Sequence, residues 1–434
     1  MNKHSFNYIV IITLFHIVFF ITSILAGNIF IGDSHEYISA ANNLLNNKSF
    51  YSYSFNESID MIYYSLDTPV YPLFIILCSF ISKSLYFLIF IQNILCCLSW
   101  HLVIKILNQF NVSRLGTLIL SLSFLFYPNY FINVNVVAPD ALFFCFLIFC
   151  FFLFFKFSET NKLKYLIQSQ ITLAIAVLTK PILLFFPLFY LMFILYYYNK
   201  RPNFKYILLT TFIVPSAIFT WSYRNLIVTG DYHFSSIIPY NLVEYNANYT
   251  LKRVLSEKKA DSITSQIMTQ AKQIKPFSKS LDFMKDKSMK ILLEYQSEHI
   301  FCHIRGTILF LFLDPGFTDA NIFYKTNFEN TNFRLNIEYK GLTGLINYFK
   351  LLSFERKILF FIVILYAFIL NIISVFGLYI YRKNIFISFL FIFLLYFFTV
   401  TGVVGCIRYR IYIYPIYIFL SILTLEHFLL SKRT

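Results

Sequence analysis

The chain has 434 residues, of which 58% are hydrophobic and 21% aromatic, and only 13% are charged. Soluble proteins carry about a quarter charged residues, so this composition excludes an ordinary soluble protein. The formal net charge of +15 does not indicate nucleic-acid binding, because the Lys and Arg residues lie between apolar stretches and form no basic arm or stripe.

The first apolar run covers residues 8–25 and is preceded by Lys3. Its unbroken length and the absence of an A-x-A site before residue 27 favour an uncleaved signal anchor over a cleaved signal peptide. Either interpretation exports the residues that follow. The polar loop over residues 32–68 is therefore predicted to lie outside the cytoplasm.

The next apolar run, residues 69–81, is bracketed by Pro69, Pro72 and Lys83. It is shorter than the ~20 residues that cross a bilayer, so we predict a re-entrant or interfacial helix. With this choice the short basic loops before Pro202 lie in the cytoplasm, as the positive-inside rule requires. A full span here would move them outside.

The fold class that follows is an all-α polytopic membrane protein with about ten transmembrane helices, counting the first run. We predict a multi-pass protein of the plasma (inner) membrane with both termini cytoplasmic. After the first run, the predicted spans are residues 84–105, 115–133, 139–156, 165–180, 181–199, 206–223, 357–380, 385–404 and 411–430.

One long hydrophilic stretch, residues 225–356, is predicted to lie on the outer side and to be mostly helical. Residues 251–290 have the pattern of an amphipathic helix, and residues 300–313 form a second short apolar segment at the membrane surface. The predicted division is a membrane module over 1–224 with a first loop over 26–83, the loop domain over 225–356, and C-terminal helices over 357–434.

Seven cysteines are present, and five of them lie in apolar segments, where they pack as small hydrophobic residues. Cys302 and Cys406 fall near the outer face, and whether they are paired is left open. The spacing matches no metal site and no disulfide framework.

The stretch GDSHEYISAANNLL, residues 32–45, follows the first span and places Asp33 and Glu36 at the start of a helix along the membrane. The helix dipole favours carboxylates there. Asp33 is then either the N-cap of this helix or a working carboxylate. His35, a lone loop histidine, has the ordinary interpretation of a surface residue.

Several further elements follow in order, each at an outer edge of the membrane. They are DTPVYPLFI (residues 67–75), NVNVVAPDALFFCFLIF (133–149), LTKPILLFFPLFYL (178–191), WSYRNLIVTGDY (221–232) and RYRIYIYPIYIFLSI (408–422). Together with the acid pair, they resemble the GT-C glycosyltransferases. More narrowly, they resemble the branch that contains protein O-mannosyltransferases, the aminoarabinose transferase of lipid A and the RgtA/B/C/D-like membrane transferases.

The resemblance implies an inverting transfer in which Asp33 deprotonates or orients the acceptor nucleophile, on the periplasmic or extracellular side. The implied donor is a polyprenyl-phosphate-linked sugar, and the acceptor is a glycan, a lipid or a protein. No cofactor is certain. A divalent cation is possible, with Asp33 and Asp140 as candidate ligands.

The resemblance also implies roles for other residues. Acceptor or donor-sugar binding falls to Glu36, Tyr37, His35 and Asp140. Neutralisation of the lipid phosphate falls to Lys180, Arg224, Arg408 and Arg410, because charge-assisted bonds to phosphate oxygens require cations.

Each role has a structural alternative. Lys180 and Arg224 at span ends can reach the headgroups without any catalytic role, and Asp140 can open a helix after Pro139. Arg408 and Arg410 lie at an outer edge against the charge rule, which favours a role for them. Asp67 stands where relatives carry a basic residue, and Lys180 replaces their arginine and its bidentate fork.

Two other functions remain open. An O-antigen polymerase or ligase also has many spans and one long outer loop, and would rely on arginines of the outer loops. A lipid-linked-sugar flippase or transporter is expected to show repeated halves and charges in mid-span, neither of which the sequence shows.

Overall fold

The computed structural model describes residues 3–123, 126–201, 203–313, 344–403, 405 and 407–431. Within these ranges every regular element is a helix, which confirms the predicted all-α polytopic fold. Seven helices are long and apolar enough to cross a membrane: Tyr8–Ala26, Leu85–Gln109, Asp140–Thr160, Pro181–Tyr198, Phe204–Thr229, Phe354–Ile380 and Arg410–Leu429. Three shorter apolar helices are Val70–Ser79, Leu163–Thr179 and Ile385–Thr401.

The first half of the described chain contains eleven of the helices that we number. They are α1 Lys3–Ala26, α2 Ser34–Asn47, α3 Val70–Ser79, α4 Leu85–Gln109, α5 Arg114–Ser123, α6 Pro128–Val134, α7 Asp140–Thr160, α8 Leu163–Thr179, α9 Phe186–Tyr198, α10 Phe204–Thr210 and α11 Ile213–Thr229. Short 3-10 turns cover Met61–Tyr64 and Pro181–Leu183.

The remaining helices follow in chain order. They are α12 Ile237–Asn241, α13 Asn248–Val254, α14 Glu257–Gln273, α15 Phe277–Glu294, α16 Gln296–Ile308, α17 Phe354–Ile380, α18 Ile385–Thr401 and α19 Arg410–Ser431. Residues 344–351 are also helical. Leu242–Ala247 and Leu309–Leu313 are π-helical, and Ile407–Tyr409 is a 3-10 turn.

The helix α3 is short, as predicted for residues 69–81, and its re-entrant or interfacial placement stays a prediction. Its 10 residues reach about 15 Å at 1.5 Å per residue, half of the ~30 Å hydrocarbon core. This helix is therefore too short to cross the bilayer alone.

The predicted span over residues 115–133 is not one continuous helix, although the chain does pass from one end of the bundle to the other here. Ser113 donates to Glu426 near the end of α19, and the amide of Val137 donates to Ile29 beside the loop that carries Asp33. Two short helices, α5 and α6, occupy this region, and residues 124–125 between them lie outside the described residues. Pro128 opens α6, because proline lacks the N–H that an ongoing helix needs and fits the first helical turn instead. The residues of α6 after Pro128 are all buried.

The helices α7 and α19 are central to the bundle. In an 18-residue apolar stretch of each helix, 72% of the residues are buried in α7 and 83% in α19. The corresponding fractions are 17% in α1 and 22% in α17. Aromatic side chains fill the space between them, as where Phe143 of α7 packs edge-on against Tyr412 of α19 at 4.6 Å. Both central helices begin at the same end of the bundle, and this end carries the site described below.

The long loop over residues 225–356 is mostly helical where it is described. The predicted amphipathic helix over 251–290 is divided into α13, α14 and α15, with α15 starting after Pro276. Val243, Ile267 and Leu281 form a small apolar core among these helices. The apolar segment over 300–313 is helical too, whereas Asp314, Pro315 and Gly316 lie outside the described residues.

Candidate active site

Asp33 sits directly before α2, in the loop that joins it to α1. Ser34 fixes this loop, since its Oγ donates to the carbonyl oxygen of Val137 at 2.7 Å and accepts from the amide of Ile31 at 2.9 Å. The amide of Val137 in turn donates to the carbonyl oxygen of Ile29 at 2.8 Å. The segment before α7 is thereby joined to the segment before α2.

The side chain of Asp33 makes no capping bond, although the residue stands at the N-cap position of α2. Its carboxylate oxygen Oδ2 instead accepts from Nη1 of Arg408 at 3.2 Å, and 51% of the side chain is exposed. The N-cap interpretation of Asp33 is therefore not supported by this geometry, and its role as a working carboxylate stays a prediction.

Arg408 bridges two carboxylates. Its Nε and Nη2 donate to Oδ2 of Asp140 at 2.8 and 2.6 Å, while its Nη1 faces Asp33. Asp140 is the first residue of α7, and Arg408 lies in the turn before α19. The starts of the two central helices are therefore joined by a charge-assisted contact, which is shorter and stronger than a neutral hydrogen bond.

Lys180 completes the cluster on the other oxygen of Asp140. Its Nζ donates to Oδ1 at 2.8 Å and to the hydroxyl of Tyr412 at 2.7 Å, and Tyr412 donates to the same Oδ1. The ammonium also lies over the rings of Tyr409 and Tyr412, at 4.9 and 5.2 Å. Asp140 is fully buried, and a buried charge persists only when it is compensated in this way.

The fit of a divalent cation can be tested on these contacts. Asp140 has both oxygens engaged, and the guanidinium of Arg408 fills the place between Asp140 and Asp33 that a bridging cation would need. In the part of the chain that the structure describes, no group of three His, Cys, Asp or Glu side chains could hold a metal ion. The arrangement therefore does not fit the predicted metal role of Asp33 and Asp140.

Glu36 lies beside Asp33 and Asp67 in a half-buried environment. Burial, followed by the negative charges of Asp67 and Asp33, raises the pKa of Glu36 from 4.5 to about 8. Asp67 is buried, and desolvation raises its pKa to about 7 against the opposing effect of the Ser52 and Tyr37 hydroxyls. Glu36 is thus mostly protonated near neutral pH and can donate a hydrogen bond.

The other two residues predicted for sugar or acceptor binding differ in exposure. His35 is exposed, and its ring stacks on that of Phe30 at 5.3 Å with an interplanar angle of 6°. Tyr37 is buried, and its ring meets the ring of Tyr71 edge-on at 5.2 Å. Of these two residues, only His35 therefore has a side chain that is accessible from outside the protein.

Arg224 and Arg410 hold backbone carbonyl groups. Arg224 donates to the carbonyl oxygens of Tyr64 and Phe50 in the first loop, the second at 3.2 Å. Arg410 donates through Nε and Nη2 to the carbonyl oxygen of Phe310, at 2.8 and 2.6 Å. Both side chains lie at the same end of the bundle as Asp140, but neither touches the Asp33–Arg408–Asp140–Lys180 cluster.

Sequence analysis missed a buried polar network beneath this cluster. Gln92 accepts from Tyr71 at 2.8 Å and donates to the carbonyl oxygen of Val134 at 2.9 Å. Asn93 donates to Asn135 at 2.9 Å and contacts His16 at 2.8 Å. The available signal was polar side chains inside apolar spans, since such residues are costly in a membrane unless they are paired. Tyr412 was missed as well, although it lies inside the RYRIYIYPIYIFLSI element.

No family model and no curated protein matches the chain. Two solved structures resemble it, both of the oligosaccharyltransferase from Archaeoglobus fulgidus. The archaeal oligosaccharyltransferase AglB in complex with an inhibitory peptide and a dolichol-phosphate is 14% identical, with a TM-score of 0.51. The apo form is 13% identical, with the same TM-score.

This likeness covers 98% of the present chain and 50% of each solved structure, so the chain spans about half their length. At this identity the likeness concerns the fold alone. It confirms the predicted GT-C fold, because the oligosaccharyltransferase is a GT-C protein.

Proposed function

We propose that this chain is a membrane glycosyltransferase that transfers a sugar from a polyprenyl-phosphate carrier to a glycan, lipid or protein acceptor, with Asp33 as the base. The observation that carries the proposal is a half-exposed carboxylate, held by an arginine, where the two central helices of a GT-C fold begin. A dolichol-phosphate is bound in one of the solved structures with this fold, which supports a lipid-phosphate donor.

Asp33 is suited to accept a proton. Only its Oδ2 bonds to a described residue, so Oδ1 is available to an acceptor. In the proposed step the acceptor oxygen forms a bond to the anomeric carbon while the bond from that carbon to the phosphate oxygen breaks. The acceptor proton passes to Asp33, and the bonding pair leaves with the lipid phosphate. Attack from the face opposite the phosphate inverts the configuration.

Arg408 and Lys180 are the proposed phosphate ligands. Asp140 holds Arg408 through Nε and Nη2, which orients the guanidinium with Nη1 toward the exposed side of the cluster. Lys180 uses two of its three donors on Asp140 and Tyr412, so one remains. These cations can stabilise the charge that develops on the leaving phosphate, which needs no strong general acid.

The remaining predicted residues receive narrower roles. Glu36 and His35 lie on the Asp33 side of the cluster, where acceptor or donor-sugar hydroxyls would bind, and the protonated Glu36 would donate to a hydroxyl. Tyr37 is buried against Tyr71, so for it a binding role stays a prediction. For Arg224 and Arg410 phosphate binding stays a prediction, and their carbonyl contacts support a positioning role. We place the site on the non-cytoplasmic side, on the strength of the basic loops at the other end.

The test is the substitution Asp33→Asn. We expect transfer from a polyprenyl-phosphate sugar by the purified protein to fall by about 100-fold or more, because general base catalysis contributes ~10²–10⁴-fold. Expression level, membrane insertion and melting temperature are expected to stay as in the wild type, since the exposed side chain contributes little to packing.

Glu57→Gln is the matched control, because Glu57 is an exposed acid in the first loop, residues 26–83, which also carries Asp33. It should retain wild-type transfer. Full activity of the Asp33→Asn protein would remove Asp33 from the role of base, and equal loss in both variants would point to a general charge effect.

A further inference from the structure

A cavity lies far from the cluster around Asp140. It has a volume of about 400 Å³ and is lined by Phe157, Asn161, Tyr198, Arg201, Asn203 and Tyr206, among others. Asp140 and Phe157 are both on α7, near its opposite ends, and a helix rises 1.5 Å per residue, so about 25 Å separates them. The cavity therefore opens at the other end of the bundle, between the α7–α8 and α9–α10 connections.

The wall of this cavity carries an unsatisfied hydroxyl. Tyr198 is 1% exposed, and its hydroxyl has no hydrogen-bond partner among the residues that the structure describes. Buried hydroxyl groups nearly always have a partner, and an orphaned one calls for an explanation such as an absent ligand or water. Tyr198 and Arg201 both line this cavity.

Arg201 is itself an unpaired cation. Its side chain is exposed and makes no hydrogen bond or ion pair with any described residue. Four further basic residues lie in these two connections or in the first turns of α8 and α10, and one acid, Glu159, lies at the end of α7. The basic residues are Lys162, Lys164, Lys200 and Lys205. A guanidinium, a phenolic hydroxyl and amide donors around one cavity in a basic setting are suited to a phosphate group.

We propose that this cavity binds the headgroup phosphate of an anionic phospholipid, in the leaflet opposite the candidate active site. A lipid fits better than free phosphate because the helices beside the cavity expose apolar surface along which an acyl chain can lie. Tyr196 of α9 is 78% exposed, and Tyr206 and Leu209 of α10 are 47% and 62% exposed. Basic pockets between transmembrane helices commonly bind such headgroups.

The experiment measures binding of a fluorescent phosphatidylglycerol to the full-length protein in phosphatidylcholine nanodiscs. We expect Arg201→Gln and Tyr198→Phe each to weaken phosphatidylglycerol binding by about tenfold, the effect of losing a bond to a charged group. Excess inorganic phosphate should not displace the lipid, because it lacks the acyl chains. The melting temperature of the Tyr198→Phe protein should not fall, since the hydroxyl has no protein partner.

Arg382→Gln is the matched control. Arg382 is an exposed arginine in the α17–α18 connection, and Phe386, four residues on, packs against Phe155 of α7 at 5.1 Å, at the same end of the bundle. This variant should bind phosphatidylglycerol as the wild type does. Equal weakening in the control, unchanged binding in both cavity variants, or displacement by inorganic phosphate would each overturn the proposal. Because the readout is binding, the result is independent of the proposed transferase activity.

Discussion

At the scale of single residues, the two aspartates of the site have different environments. Asp140 is fully buried with both oxygens engaged, and removal of one partner from such a buried pair costs about 3–5 kcal/mol. Asp33 is 51% exposed and shares one oxygen with Arg408. The first carboxylate therefore holds two cations in place, while the second has one oxygen turned away from the described side chains.

Glu36 leads to a prediction on pH dependence. Its pKa is raised from 4.5 to about 8, so between these values the folded protein binds the proton more tightly than the unfolded chain does. Stability must then fall as the pH rises through this range. We expect Glu36→Gln to reduce this fall in melting temperature, measured at a series of pH values.

Part of the slope should remain in the Glu36→Gln protein, because the pKa of Asp67 is raised in the same direction, to about 7. Glu57→Gln serves as the control, since Glu57 is exposed in the same loop. An unaltered slope in the Glu36→Gln protein would show that the carboxyl group is solvated in the folded state.

At the scale of elements, α16 and the end of α18 meet through backbone atoms. A Cβ placed on Gly306 would lie 1.7 Å from the carbonyl oxygen of Gly402, and one placed on Gly402 would lie 2.3 Å from the ring of His303. His303 also contacts the carbonyl oxygen of Phe398 through Nε2 at 2.9 Å. Small residues let helices in membranes approach this closely.

The substitution Gly306→Ala is therefore expected to destabilise the protein. The new methyl group meets backbone and not a flexible side chain, so α16 must shift, at a cost of about 1–3 kcal/mol. Denaturant unfolding in detergent measures this cost.

Gly32→Ala is the control, because a Cβ there has no heavy atom within 4 Å. It should be neutral in the same unfolding measurement. Equal stability of the Gly306→Ala and wild-type proteins would contradict the close packing of α16 against Gly402.

At the scale of the whole molecule, the first loop is attached to α11 and to the chain after it by several contacts. Arg224 holds the carbonyl groups of Phe50 and Tyr64. Ser235 Oγ donates to the carbonyl oxygen of Leu66 at 2.6 Å, and His233 Nε2 lies 2.7 Å from Ser65 Oγ. The loop that carries Asp33 is thus positioned in part by residues far along the sequence.

Arg224→Ala should loosen this attachment. We expect faster cleavage of residues 50–66 in limited proteolysis, because two carbonyl groups lose their charged donor. In the Arg224→Lys protein, the cleavage rate of residues 50–66 should lie between those of the Arg224→Ala protein and the wild type. The lysine keeps a positive charge, but an ammonium cannot reproduce the planar fork of the guanidinium.

Arg253→Ala is the comparison, as Arg253 is exposed and stacks on Phe301 at 4.2 Å in the long loop. Its cleavage pattern in residues 50–66 should match the wild type. Undiminished protection of these residues in the Arg224→Ala protein would show that the other contacts suffice.

The sequence by itself determined the helical membrane class, the short helix α3 and the presence of Asp33, Asp140, Lys180 and Arg408 at one end of the bundle. These features depend on the lengths of the apolar segments and on whether an even or odd number of membrane crossings separates two residues. Both can be counted along the chain. The break between α5 and α6 was missed, although Pro128 signals it.

Only the tertiary structure decided which charges pair. Asp33 and Arg408 are 375 residues apart in the sequence, and their contact requires α7 and α19 to begin side by side. The packing of the helices also brings Arg224 and Arg410 within hydrogen-bonding distance of backbone carbonyl groups, and it forms the cavity at Tyr198. Composition and spacing do not encode these outcomes, because they result from the three-dimensional fit of buried side chains between helices that are distant in the sequence.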